Sequence, residues 1–257
     1  MLTFEQLKAS YPTDRIASPR SMLVEYVQHE LLDSIFKQKE SENLSFIGGT
    51  AIRIVYHGSR FSEDLDFDNF GLSFGDFQRM IDAIVEDMRR KGFLVEFRVI
   101  EKGAYHCYVK FPHILQSANL PSAPEEKILV RIDTMKKEKV FSPRLSTLNA
   151  FDIYRNIQVN PPDILLSQKL LTVIERKREK GRDFFDESYL YGLAEPNFEY
   201  LETITGMRKT EFIEKFFDRC APLNFHSLAK DVEPFLMYPE QSARVIDFKN
   251  FIRERLG

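Results

Sequence analysis

The chain has 257 residues and a formal charge of −3 from 36 basic and 39 acidic side chains, long enough for one large domain or two small ones. That balance excludes a global basic field, so any RNA-binding surface has to be local. Cys107 and Cys220 form neither a disulfide framework nor a metal-ligand spacing. No apolar run approaches the ~18 residues of a membrane span, and with no signal-peptide pattern a cytoplasmic protein without a membrane partner is expected.

In chain order, Pro12 and Pro19 break any long helix at the start. Ser18 and Pro19 read as an N-cap with proline at the first helical position. The helix that follows carries Met22, Leu23, Tyr26, Val27, Leu31 and Ile35 at helical spacing and is expected to pack on the sheet as a structural helix. Leu44 to Ile47 has the length and content of a buried strand. Gly48 and Gly49 then mark a tight turn or a close approach, and Thr50 reads as the cap of a short helix with Ala51, Ile54 and Val55 on its apolar face and Gly58 at its end. Next comes a strand in which Leu65 and Phe67 alternate with Asp64, Asp66 and Asp68, so the three carboxylates share one face.

Three carboxylates on one strand face repel each other. A solvated edge strand tolerates them in water; the functional alternative is a divalent cation. Hard Mg²⁺ takes one or two carboxylates plus substrate phosphates, and a glycine turn opening a helix presents backbone N–H groups to phosphate. The order of the two halves, one helix apart and each beside a strand, favours a metal-plus-phosphate site made by Gly48, Gly49, Thr50, Asp64 and Asp66.

Farther along, Ser73 to Asp76 resembles a capping box, and Phe77, Met80, Ile81, Ile84, Val85 and Met88 form a helical stripe ended by Gly92. Phe93 to Glu101 and Tyr105 to Phe111 read as a hairpin turning at Lys102 and Gly103. Residues 112–125 read as a loop, and His106 and His113 read as ordinary histidines with no spaced partner. Ile128, Val130 and Ile132 then alternate with Leu129, Arg131 and Asp133. Asp133 is a conspicuous carboxylate on an apolar and basic strand, unless Arg131 or Lys136 simply pairs with it. A last strand is expected from Phe151 to Val159. Pro161 and Pro162 mark a boundary after which everything reads helical. The fold expected is α/β (α+β), a mixed β-sheet flanked by helices over residues 1–159 and a C-terminal helical domain over 160–257.

In the second part, Ile164, Leu170, Leu171, Val173 and Ile174 make an apolar side, while Lys169, Thr172 and Arg176 line the polar side. This helix is expected to run into Arg176, Lys177, Arg178 and Lys180, with Lys169 exposed enough that its truncation leaves stability untouched. Arg182, Asp183 and Asp186 follow. By composition alone a solvated basic helix is the simpler account. Beyond Leu190 come three or four short amphipathic helices, one of them Ser242 to Leu256.

The run Gly48-Gly49-Thr50-Ala51, a helix, then Arg60-Phe61-Ser62 and Asp64-Leu65-Asp66-Phe67 resembles the AbiEii/AbiGii-type toxin family of type IV toxin–antitoxin systems, within the DNA polymerase β-like nucleotidyltransferases. Lys169-Leu170 followed by Arg178, Lys180, Arg182, Asp183 and Asp186 resembles that family's second basic element. Thr172 departs from it, where a small residue is usual. The resemblance implies a nucleotidyltransferase fold with its cleft between the domains, and transfer of a nucleoside monophosphate from an NTP to a hydroxyl. The acceptor it implies is RNA, such as a tRNA 3′ end, with a cognate antitoxin as partner. It implies that Asp64, Asp66 and Asp133 hold Mg²⁺, Asp133 alternatively acting as general base. Lys169, Arg178 and Lys180 would stabilise the leaving pyrophosphate. Two rivals stand beside it: modification of a protein hydroxyl, and a catalytically silent NTP-binding module.

Overall fold

In the computed structural model, residues 2–11, 18–138 and 140–257 are described; Pro12, read above as a helix breaker, lies outside them. The chain forms two compact units. One comprises Met1–His57, Phe61–Lys139 and Pro143–Val159; the other comprises Gly58–Arg60, Val140–Ser142 and Asn160–Gly257.

The first unit runs α1 (Phe4–Lys8), α2 (Pro19–Phe36), β1 (Leu44–Ile47), α3 (Gly48–Ile54), β2 (Leu65–Asn69), α4 (Phe74–Arg90), β3 (Glu96–Glu101), β4 (Tyr105–Pro112), α5 (Ile114–Ser117), β5 (Lys127–Lys136), β6 (Arg144–Ala150) and β7 (Ile153–Val159). Among the described residues, its seven strands form one mixed sheet in the order β3-β4-β5-β2-β1-β7-β6. β2 runs antiparallel to β1 but parallel to β5. α2 and α4 pack on each other; α2 also touches β5, β6 and β7, and α4 touches β3 and β4. The apolar stripes explain this. Met22, Leu23, Tyr26, Val27, Leu31 and Ile35 of α2 and all six stripe residues of α4 are buried. They meet Cys107, Val109, Phe111, Ile128, Val130 and Ile132, also buried, which alternate along β4 and β5 as a sheet with one covered face requires.

Local signals decide most of the ends. Pro19 opens α2 at N1, although the Ser18 side chain makes no capping bond. Ser73 accepts from the Asp76 N–H at the start of α4. The β3–β4 hairpin turns through Gly103. Several expectations are corrected. Thr50 lies inside the first turn of α3, whose N-cap is Ile47; the helix stops at Ile54, before Gly58, and it buries Ala51 and Ile52 while Ile54 and Val55 stay half-exposed. β3 starts at Glu96 rather than Phe93. Residues 112–125 contain α5. Phe151 and Asp152 both have positive φ; they are the turn of a β6–β7 hairpin, so β6 went unread and β7 begins two residues later than expected.

The second unit contains α6 (Pro162–Glu175), α7 (Gly181–Leu190), α8 (Phe198–Thr205), α9 (Lys209–Cys220), α10 (Phe225–Val232), α11 (Ala243–Ile246) and α12 (Phe248–Leu256). The expected helix from Ser242 is thus split into two. Phe184 meets Phe225 and Phe248 edge-on at 5.1 Å each, and those two stack at 5.7 Å. Gly181 opens α7 against α10 so closely that an added Cβ would lie 1.8 Å from the Leu228 carbonyl oxygen. No helix among the described residues is long and apolar enough to cross a membrane.

Candidate active site

In the first unit, β1 leads directly into Gly48. Its φ is +79°, and a virtual Cβ lies only 2.6 Å from Asp66 Oδ2, so any side chain there would be strained and would push that carboxylate aside. Ile47 is the register partner of Asp66 on β2, so the glycine turn and this carboxylate are fixed together by strand pairing. The Thr50 hydroxyl, instead of capping, donates to the Asp64 carbonyl oxygen and ties α3 to the start of β2. The first N–H groups of α3, including those of Gly49 and Thr50, have no intrahelical acceptor.

Asp66 on β2 stands opposite Asp133 on β5, and neighbouring strands lie ~4.8 Å apart. Asp133 in turn stands opposite His106 on β4, and the His106 Nδ1 lies 2.9 Å from Asp133 Oδ1. Arg131, two residues back on the same face of β5, donates to Asp64 Oδ2 at 2.5 Å and lies 3.7 Å from Asp133 Oδ2. The hydrogen bond to Asp64 raises the guanidinium pKa further, overcoming the cost of partial burial. Asp64, Asp66 and Asp133 are half-buried, whereas Asp68 is 1 % exposed beside buried Ser45. The row read as three equivalent carboxylates therefore has two at the surface and one inside.

The donor chemistry suits a hard cation: Asp66 and Asp133 are oxygen donors on register partners, with Asp64 adjacent. Among the described residues no three His, Cys, Asp or Glu side chains form a ready-made metal group. A cation here would complete its shell with nucleotide phosphates and water, the usual habit of Mg²⁺.

In the second unit, Lys169 of α6 is not on an exposed face. Its Nζ lies 3.0 Å from Asp183 Oδ1 and 2.8 Å from Asp186 Oδ2 of α7. Arg60 grips the same Asp186 through Nε at 2.6 Å and Nη2 at 2.5 Å, a bidentate fork. Arg60, Asp183 and Asp186 are each no more than 2 % exposed. Burial alone would lower the Lys169 pKa, but Asp186 and Asp183 hold it above the ordinary value. Burial pushes Asp186 up, and Arg60 and Lys169 bring it below the usual carboxylate range. Asp183 and Asp186 share a helix face and together hold Lys169, Arg60 and Arg176, the last at 3.4 Å. Lys180 approaches Asp231 at 3.9 Å, and Arg178 is exposed. α6 ends at Glu175, so the basic run from Arg176 to Lys180 joins two helices instead of extending one.

Gly48, Gly49, Thr50, Asp64, Asp66 and Asp133 thus converge within the first unit, and Lys169, Asp183 and Asp186 within the second. Two members went unread. His106 pairs with a residue 27 positions away, a register that no local pattern encodes. Arg60 stands out in sequence only as part of the signature, and its carboxylate lies 126 positions on.

Solved structures share this fold, a mixed sheet flanked by helices. MenT4, nucleotidyltransferase toxin Rv2826c of Mycobacterium tuberculosis, superposes with a TM-score of 0.61 at 15 % identity, covering 99 % of this chain and 90 % of that one. JHP933 from Helicobacter pylori gives 0.55 at 13 % identity over 94 % of this chain and 95 % of that one. A putative nucleotidyltransferase from H. pylori gives 0.56 at 15 % over 94 % and 97 %. No curated protein sequence matches. The model of the family described as "Nucleotidyl transferase AbiEii toxin, Type IV TA system" matches residues 30–247, and the chain belongs to that family. It is a nucleotidyltransferase toxin, with an NTP as substrate and an antitoxin as partner.

Proposed function

We propose that this toxin transfers a nucleoside monophosphate from an NTP to a hydroxyl of RNA, with a tRNA 3′ end as the acceptor and Mg²⁺ as the cofactor. The observation that carries the reading is the register pair Asp66 and Asp133 beside the Gly48 turn. The acceptor oxygen attacks the α-phosphorus, the bond to the β-phosphate's bridging oxygen breaks, and pyrophosphate leaves. Asp133, oriented by His106 and Arg131, takes the hydroxyl proton. Bound by Asp64 and Asp66, Mg²⁺ would neutralise phosphate charge. Backbone N–H groups at Gly48, Gly49 and Thr50 bind phosphate oxygens. Lys169, oriented by Asp183 and Asp186, supplies positive charge for the leaving pyrophosphate, with Arg178, Lys180 and Arg182 adding to it.

The test is incubation of the purified protein with each labelled NTP, with Mg²⁺ or EDTA, and either total tRNA or cell protein. Label on RNA, Mg²⁺-dependent and absent from folded Asp66→Ala, is the expected result. Label on protein alone would replace the acceptor. Undiminished transfer by Asp66→Ala would remove the foundation of the reading.

A further inference from the structure

With a net charge of −3, an RNA surface on this chain has to be local, and the strand register sets out one local face next to the carboxylates. Asp66, Asp133, His106 and Ile100 form a cross-strand row over β2, β5, β4 and β3. The next row on the same face is Arg131, Tyr108 and Arg98, and the one beyond it is Leu129, Lys110 and Glu96. The buried alternate residues of β4 and β5 face the opposite way, toward the helices. Arg98 and Lys110 are exposed and Tyr108 is half-exposed.

The charges on this face are unevenly spent. Arg131 is held by Asp64. Glu96 is held through both oxygens by Lys127 at 2.8 Å. Among the described residues, neither Arg98 nor Lys110 closes an ion pair. A phenol ring one row from the carboxylates thus lies beside two exposed cations, Arg98 and Lys110. Of these, Lys110 shares its cross-strand neighbour Glu96 with Lys127. A ring flanked by cations is the alternation that the bases and phosphates of a single strand call for. A protein partner would want an apolar centre, and Leu129, 43 % exposed, is the one exposed large apolar residue of the two rows.

We infer that the open face of β3, β4 and β5 next to Asp133 is the acceptor site, where the single-stranded end of the RNA lies with a base against Tyr108 and its phosphates at Arg98 and Lys110. The inference rests on the RNA-acceptor reading above. It gives that reading a direction: the strand enters over β3 and β4 and ends with its hydroxyl at the Asp133 row.

The experiment uses the full chain and a short single-stranded RNA with a free 3′ hydroxyl, measured by fluorescence anisotropy without NTP. It also measures transfer to total tRNA over a range of tRNA concentrations. Tyr108→Ala and the double variant Arg98→Ala/Lys110→Ala should each weaken RNA binding about tenfold and raise the RNA KM to match. Tyr108→Phe, which keeps the ring, should bind as the parent does. The double variant should also flatten the dependence of log affinity on log salt by about one unit. NTP affinity and Tm should be unchanged in all three. If the parent labels tRNA and folded Tyr108→Ala and double variants keep its RNA affinity and KM, this face is not the acceptor site although the acceptor stays RNA. If the parent neither binds nor labels RNA but labels protein, the acceptor reading itself falls and this inference falls with it.

Discussion

At Gly48, backbone conformation and site geometry meet in one atom. Alanine there costs about 1–2 kcal/mol for a left-handed backbone, and its methyl must displace the Asp66 carboxylate, 2.6 Å away. Gly48→Ala should therefore remain folded, with a modest loss in denaturant unfolding, while single-turnover transfer falls about a hundredfold, the scale of a misplaced reacting group. Wild-type turnover in this variant would show that Asp66 tolerates displacement. Lys169 presents the opposite case, because its ammonium sits between Asp183 and Asp186. Lys169→Ala leaves two buried carboxylates with one cation fewer, a change that typically costs about 3–5 kcal/mol. Arg176, 33 % exposed and 3.4 Å from Asp183, should cost under about 1 kcal/mol on truncation. Side-by-side melts decide this: equal Tm values for the two alanine variants would mean that the cluster does not carry the helix pair. The helical wheel puts Lys169 and Arg176 on one polar side; what separates them is that Lys169 lies between two carboxylates of α7 while the more exposed Arg176 reaches Asp183 alone.

Among the elements, α2 is more than an apolar cover. Its Asp33 receives Lys37 at 2.7 Å, Lys91 at 2.8 Å and Arg155 at 2.9 Å, joining α2 to the end of α4 and to β7. Burial would raise this carboxyl, yet the three cations hold it at about 2. Asp33→Asn should cost about 2 kcal/mol, the worth of hydrogen bonds to a buried charged group, without altering NTP binding. Equal unfolding midpoints for variant and parent would show the clamp to be idle. The apolar stripe of α2 was plain in the sequence because period 3.6 is a local property. The clamp was not, since Asp33 and Arg155 lie 122 residues apart.

For the molecule as a whole, these buried groups set a pH window. Asp33 titrates near 3.8 when unfolded and about 2 when folded, and Asp186 is also lowered. As pH falls from about 4 toward 2, the unfolded chain binds protons that the native chain refuses, so stability is lost on the acid side. Glu187 of α7 works in the other direction. Burial first, and Asp183 next, raise it well above its ordinary 4.5. Among the described residues neither of its oxygens has a hydrogen-bond partner. Above pH 4.5 the unfolded chain releases a proton that the native chain keeps, so stability declines as pH rises toward the native pKa. Glu187→Gln should match the parent near pH 4 and exceed it in denaturant midpoint near pH 8. The same midpoint difference at both values would mean that Glu187 is not protonated in the fold.

The sequence by itself determined what short-range chemistry can encode. The buried stripes of α2 and α4, the β3–β4 hairpin, the glycine turn and the Asp-x-Asp strand all depend on residues within one or two turns of each other. So does the passage to all-helical structure at Pro161 and Pro162, because prolines and hydrophobic period act locally. Only the tertiary structure decided which strands became neighbours. Parallel pairing of β2 with β5 sets Asp133 opposite Asp66, and antiparallel pairing of β4 adds His106. Folding of α7 against α6 turned a side chain read as solvated into a buried ion pair. A pairing register is chosen by the burial of whole strands over long loops, and a charge on a helix is exposed or buried according to what packs on it.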